Sequence, residues 1–167
     1  MYKRQVEGFI GTTDQKKGLE DNWIDCFLNL RIIPQLIILK SRILDKEIIN
    51  KVKEKIKSEL LHHKPINALV HGDLWSGNVG MEKNGKGVIF DPASWWADNE
   101  VDIAMTKLFG GFGKEFYEEY HKIFPLKKGF EKRVIIYNFY HILNHANMFG
   151  GGYFKQVRDY VKAILNM

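Results

Sequence analysis

Residues 70–93 limit the fold more than any other stretch: VHGDLWSGN at 70–78 is followed by VIFDPA at 88–93. A short apolar run ends on His71-Gly72-Asp73, an amide follows at Asn78, and a second β-prone run ends on the carboxylate Asp91. Between them Asn84-Gly85, flanked by Val79 to Met81 and Lys86 to Phe90, is a hairpin-turn signal. The hairpin therefore carries Asn78 at its entrance and Asp91 at its exit, and Asp73 joins them at the same edge. Three oxygen-bearing groups so gathered suit phosphoryl transfer, in which a base holds an attacking hydroxyl while a carboxylate and an amide carry Mg²⁺ against phosphates.

The rest of the chain is consistent with an ordinary globular protein. Its 167 residues are enough for one domain with a real core and no disulfide or metal to support it. A single cysteine, Cys26, excludes an internal disulfide and agrees with a reducing compartment, so the cytoplasm is the expected location. The excess of 25 Lys+Arg over 20 Asp+Glu gives +5. Much of it lies in one helical segment, where Lys46, Lys51, Lys53, Lys55 and Lys57 alternate with Glu47, Glu54 and Glu59, which is a solvated face and not a phosphate-tracking stripe. Nucleic acid is not an expected partner. Nor is a membrane: the most apolar window, Ile32 to Leu39, is interrupted by Pro34 and Gln35 and is too short to span a bilayer, and the first residues lack the apolar core of a signal peptide.

The pattern predicts an α+β, predominantly helical chain. Residues 1–19 have little periodicity and are expected to form an extended or looped linker. Asn22 is a plausible N-cap for a helix carrying Trp23, Phe27 and Leu30; Pro34 ends or kinks it and starts a second helix through Leu39. Leu44, Ile48, Val52, Ile56 and Leu60 recur every fourth residue and predict an amphipathic helix from Asp45 to Leu61. Ala68-Leu69-Val70 predicts a buried strand, and further helices are expected near 100–109, 114–124, 131–149 and 154–165.

The spacing D-x-x-x-x-N from Asp73 to Asn78 is that of the kinase catalytic loop, with the aspartate as base and the asparagine on magnesium. Asp91 on a rigid strand end suits a second magnesium ligand, against the alternative of capping a turn before Pro92. His71 is expected to pack under the loop and bond its backbone, because the base position is already filled. Asp102 has two open readings: stabiliser of a helix N-terminus, or anchor for the catalytic-loop backbone. Trp75, Trp95 and Trp96 crowd the same region and are candidates for stacking on a sugar or amine, although tryptophans are more often core residues. His141 and His145 lack a third ligand for zinc and read as a packed helix face.

HGDLWSGN, then DPA, then E-x-D-x-A-M-x-x-L-F-G-G-F, then Y-H-x-L-N-H together resemble the fructosamine kinase, or ketosamine-3-kinase, family, within the aminoglycoside-phosphotransferase-like branch of the protein-kinase-like fold. The resemblance covers nearly the whole chain and implies that residues 20–167 are the C-terminal, catalytic lobe of such a fold, following a missing N-terminal lobe. It implies ATP-dependent phosphorylation of the 3-hydroxyl of a small-molecule or protein-bound ketosamine, which destabilises the adduct and removes it. Asp73 would be the base, Asn78 and Asp91 the Mg²⁺ ligands, and Asp102 an aspartate supporting the loop. Where the family commonly has Gly-His-Arg-Glu-like residues, this chain reads Ala97-Asp98-Asn99-Glu100, so Glu100 alone is carried over as a substrate contact. The glycine-rich loop and strand lysine of a kinase are not recognisable, so the missing lobe is expected in cis or in trans and the chain alone should be weakly active or inactive. The alternatives are an aminoglycoside- or choline-type kinase lobe and a non-catalytic binding remnant.

Overall fold

In the computed structural model, which describes residues 5–39 and 43–167, the longest helix is the central post. This helix, α6 (Phe130–Phe149), buries Ile136, Tyr137, Phe139, Tyr140, Ile142 and Leu143 and also Arg133, Asn138, His141 and Asn144. A helix buried nearly all round needs partners on every side. They are α7 (Gly152–Leu165), α4 (Glu100–Thr106), α3 (Lys46–Leu60) and the helical run 23–39. The amphipathic stripe is as expected: Asp45 caps α3 by accepting from the Ile48 N–H, and Val52, Ile56 and Leu60 are buried. A further helix, α5 (Lys114–Ile123), lies at the edge with no fully buried residue. No described helix is long and apolar enough to cross a membrane.

Pro34 does not end the first helical run. Asn22 caps α1 (Trp23–Phe27), which continues through a π-helical segment, Leu28–Ile32, into α2 (Ile33–Leu39). Proline has no N–H for the carbonyl four residues back. That carbonyl, on Leu30, accepts instead from the buried Arg31 Nη1 at 2.9 Å.

Among the described residues three small antiparallel sheets lie around these helices. The strand β3 (Asn67–Val70) pairs with β6 (Trp95–Asp98), Val70 opposite Trp95 and Asn67 opposite Asp98. The expected hairpin is β4 (Val79–Met81) against β5 (Gly87–Ile89), turning through Gly85 at φ +84°. The sequence reading missed β6, whose buried Trp95 and Ala97 alternate with the exposed Trp96.

The lead-in, expected to be extended or looped, is extended for part of its length. Within 1–19 the chain forms a hairpin, β1 (Gly8–Ile10) and β2 (Thr13–Gln15), and residues 1–4 lie outside the described residues. The hairpin belongs to the body of the protein. Ile10 is buried, Gln15 Nε2 donates to Ala93 O and Tyr140 Oη, and Asn144 Nδ2 donates to Ile10 O. Gln5 bonds the β6 edge twice, Nε2 to Trp96 O at 2.9 Å and Oε1 from Trp96 N at 3.3 Å. Strands of three residues whose inward side chains include threonine and glutamine leave no apolar alternation to read.

At the other end of β6, Glu100 and Arg133 form a buried bidentate pair, Nε to Oε2 at 2.5 Å and Nη2 to Oε1 at 2.8 Å. The substitution Arg133→Met should strand the Glu100 carboxylate and lower stability by about 3–5 kcal/mol, read as an earlier urea midpoint, and Glu100→Leu in the same chain should recover much of that loss.

Candidate active site

The site begins where β3 runs out. The N–H groups of His71 and Gly72 have left the ladder, and each donates to one oxygen of Asp102, at 2.7 and 2.9 Å. Of the two readings open for Asp102, the geometry corresponds to the loop anchor, delivered by the first turn of α4. Gly72 stands at φ +82°, and a Cβ there would lie 2.1 Å from the Ala93 carbonyl oxygen, so only glycine lets the loop pass so close to the strand that follows Asp91. His71 completes the tie. Its Nε2 lies 2.9 Å from Phe90 O, an acceptor, so Nε2 carries the proton and Nδ1 accepts from Asp73 N at 3.3 Å.

Asp73, Asn78 and Asp91 are thereby brought together. Asn78 ends a 3₁₀ turn, Ser76–Asn78, and its Nδ2 donates to Asp73 O at 2.9 Å and to Asp73 Oδ2 at 3.3 Å, with Asp91 O at 3.5 Å. These bonds use the amide nitrogen and leave Oδ1 as a hard oxygen donor. Asp91 is at φ +56°, the only non-glycine with positive φ among the described residues. Such backbone strain concentrates at functional sites. Burial raises the Asp73 carboxyl above its ordinary range and the Asp91 charge acts the same way, while His145, His71 and the Asn78 bond oppose them. Burial likewise raises Asp102, against its two backbone bonds and His71.

The three residues line one wall of a cleft of about 390 Å³. Trp75, Phe109, His145, Phe149 and Tyr153 line it with aromatic rings, and Ile10 at the end of β1 and Gly11 of the β1–β2 turn line it with aliphatic atoms and backbone. Trp75 meets Phe109 edge to face at 6.0 Å. His145 Nδ1 donates to His141 O at 2.8 Å. The Asp91 carboxylate and the Asn78 amide oxygen, with no thiolate beside them, fit a hard cation such as Mg²⁺.

Three expected substrate contacts lie elsewhere. Trp95 is buried, stacked on Trp23 at 5.7 Å with the Arg31 guanidinium 4.2 Å from its ring centre. Trp96 points to the outer face of β6, opposite Leu69. Glu100 is held by Arg133. Trp75 alone of the four lines the cleft. Among the cleft residues the sequence reading missed are Ile10, Gly11, Phe109, His145, Phe149 and Tyr153. The adjacent histidine pair was visible, but spacing cannot tell that His145 faces the cleft while His141 is enclosed.

A sequence profile described as fructosamine kinase matches residues 2–167. The chain belongs to the fructosamine kinase family. It is 45% identical over 163 residues to a probable ketoamine kinase of Synechocystis, covering 98% of this chain and 55% of that protein. It is 38% identical over 146 residues to the ketosamine-3-kinase of Mus musculus, covering 86% of this chain and 47% of that protein. The crystal structure of a "putative fructosamine-3-kinase" from Thermobifida fusca superposes with a TM-score of 0.85 at 26% identity, covering 99% of this chain and 59% of that one. The chain thus spans about half the length of the curated relatives it matches.

In this fructosamine kinase family member, the loop depends on the Asp102 carboxylate to accept from two backbone N–H groups. Asp102→Ala should cost roughly 1–3 kcal/mol for each stranded N–H. Hydrogen exchange at His71 and Gly72 should accelerate, and an unchanged exchange rate at both would contradict the anchoring role.

Proposed function

We propose that this chain carries the base and metal-binding part of a kinase-type site that phosphorylates the 3-hydroxyl of ketosamines, of the fructosamine or ribulosamine type, with ATP as donor. The observation that carries the reading is the convergence of Asp73, Asn78 and Asp91 on one cleft edge, with the loop that holds Asp73 tied to Asp102 and Asp91's strand tied to His71. Membership of the family and the names of its relatives, among them ketosamine-3-kinase and protein-ribulosamine 3-kinase, support the substrate class.

In this reading Asp73 receives the hydroxyl proton as the oxygen attacks the γ-phosphorus; the new P–O bond forms while the bond to the departing ADP oxygen breaks and its electron pair leaves with ADP. Asn78 Oδ1 and the Asp91 carboxylate would hold Mg²⁺, which when bound offsets charge on the phosphates. The Asn78 Nδ2 bond to Asp73 Oδ2 keeps base and metal ligand in fixed relation. His71 keeps its ring in the loop and takes no proton. Trp75 lines the same cleft, and we assign it to stack on the acceptor.

Residues 20–167 would then act as the C-terminal lobe of a kinase-like fold. Among the described residues the cleft is lined by no lysine or arginine. Transfer from ATP needs cations over the phosphates, so we assign them to a further lobe, in cis or in trans.

A phosphotransfer assay with a ribulosamine or fructosamine acceptor tests both parts. The 167-residue chain alone should turn over weakly or not at all, and robust activity would sink the two-lobe reading. In a form that includes a phosphate-binding lobe, Asp73→Asn should lose about 10²-fold or more in turnover, and a near-normal rate would reject Asp73 as base.

A further inference from the structure

Behind the cleft, in the middle of α6, His141 is 1% exposed and neither ring nitrogen has a hydrogen-bond partner among the described residues. A buried polar ring left so is costly, and such groups usually have a function or an ordered water. Its surroundings are specific. Nδ1 lies 4.0 Å from Asp73 Oδ1, too far for a direct bond and within reach of one through a single water or a shift of about 1 Å. Burial, and then the neighbouring His145, lower the pKa of His141 to about 3. At neutral pH the ring therefore has one N–H and one lone pair. A lone pair aimed at a carboxylate oxygen is repelled, so the proton belongs on Nδ1.

Asp73 lacks a donor on that side. Its Oδ2 receives Asn78 Nδ2 at 3.3 Å, whereas Oδ1 faces His141. We propose that His141 is a positioning residue for Asp73: its neutral ring donates Nδ1–H to Oδ1, directly or through one water, and with Asn78 fixes the carboxylate plane so that the remaining lone pairs meet the acceptor hydroxyl. This rests on the reading of Asp73 as the base. A neutral donor suits the task, because it orients the carboxylate without giving it a full counter-charge that would weaken it as a base. It also explains a polar residue among Tyr137, Phe139, Tyr140, Ile142 and Leu143, where a leucine would pack at no polar cost.

The test uses nuclear magnetic resonance on the 167-residue chain. Long-range ¹H–¹⁵N spectra should find His141 as the Nδ1–H tautomer, normally the minor form, and in Asp73→Ala the ring should revert toward Nε2–H, which a merely packed histidine would not do. Three-bond couplings to Asp73 Cγ should report one χ1 rotamer in the wild type and in His141→Asn, whose amide nitrogen occupies the place of Nδ1, and averaged rotamers in His141→Leu. An Nε2–H ring in the wild type, or a single unchanged Asp73 rotamer in His141→Leu, overturns the proposal. Should His141→Leu not fold, the wild-type tautomer and its response to Asp73→Ala decide alone. None of these readouts uses turnover, so a failure of Asp73 as base would appear in the Asp73→Asn rate and leave them unmoved.

Discussion

The two hydrogen bonds from the His71 and Gly72 N–H groups to Asp102 are the constraint on which the site depends. A strand that ends inside a protein leaves amides with no ladder partner, and each must find an acceptor or pay for desolvation. Here one carboxylate takes both, and it stands on a helix, α4, that packs on the central α6. The direction in which Asp73 leaves the strand is thus set by the core of the protein and not by the flexibility of a loop. Gly72 makes the arrangement possible, since any side chain would collide with the Ala93 carbonyl. His71 then links the same loop to Phe90, one residue before Asp91, so that Asp73 and Asp91 cannot move independently.

How much of this was legible depends on the kind of signal each residue carries. The helices of the second half are periodic and bounded by glycine or proline, and their observed spans differ from the expected ones by a few residues. The Asp73, Asn78 and Asp91 set could be read because the motif spacing and a hairpin turn specify it locally. The β1–β2 hairpin could not, because what it does is long-range: Gln15 reaches Ala93 and Tyr140, and Gln5 pairs with Trp96, contacts across 78, 125 and 91 positions that no window of sequence contains. The tryptophans mislead for a related reason. Trp75 and Trp95 both sit near the Asp73, Asn78 and Asp91 set in sequence, but strand alternation turns Trp95 into the core and the loop leaves Trp75 at the cleft.

The place of Trp95 is explained by Arg31 and Pro34. A proline within a helical run frees a carbonyl, and a π-helical segment accommodates the change in register. Arg31 answers the free Leu30 carbonyl and also donates to Lys16 O at 3.1 Å, just beyond β2. Burial pushes its pKa down, against Tyr140 and Cys26, and no carboxylate pairs with it among its contacts. The flat face of Trp95 below the guanidinium supplies part of the missing stabilisation. A residue that reads as a ligand platform is in fact the platform for a buried cation, and this cation joins the helical run to the N-terminal hairpin.

The cleft itself is polarised by what it lacks. Asp73 and Asp91 share an edge whose described lining includes no lysine or arginine. Two carboxylates so placed repel, and burial adds to the cost of ionising Asp73. The nearby imidazoles and the Asn78 amide offset part of that cost, yet the protein spends further stability on the left-handed backbone of Asp91. Nothing in folding alone favours this combination, and a sequence selected only for stability would replace one acid with an amide or fill the cleft from Trp75 or Phe109. In the function proposed above, a hard cation and a phosphate-bearing ligand would complete the arrangement: the cation would offset the repulsion and take the strained Asp91 as a fixed ligand. An unfavourable apo edge is the electrostatic counterpart of the buried His141: each is a cost that makes sense when Asp73 must be ionised and aimed.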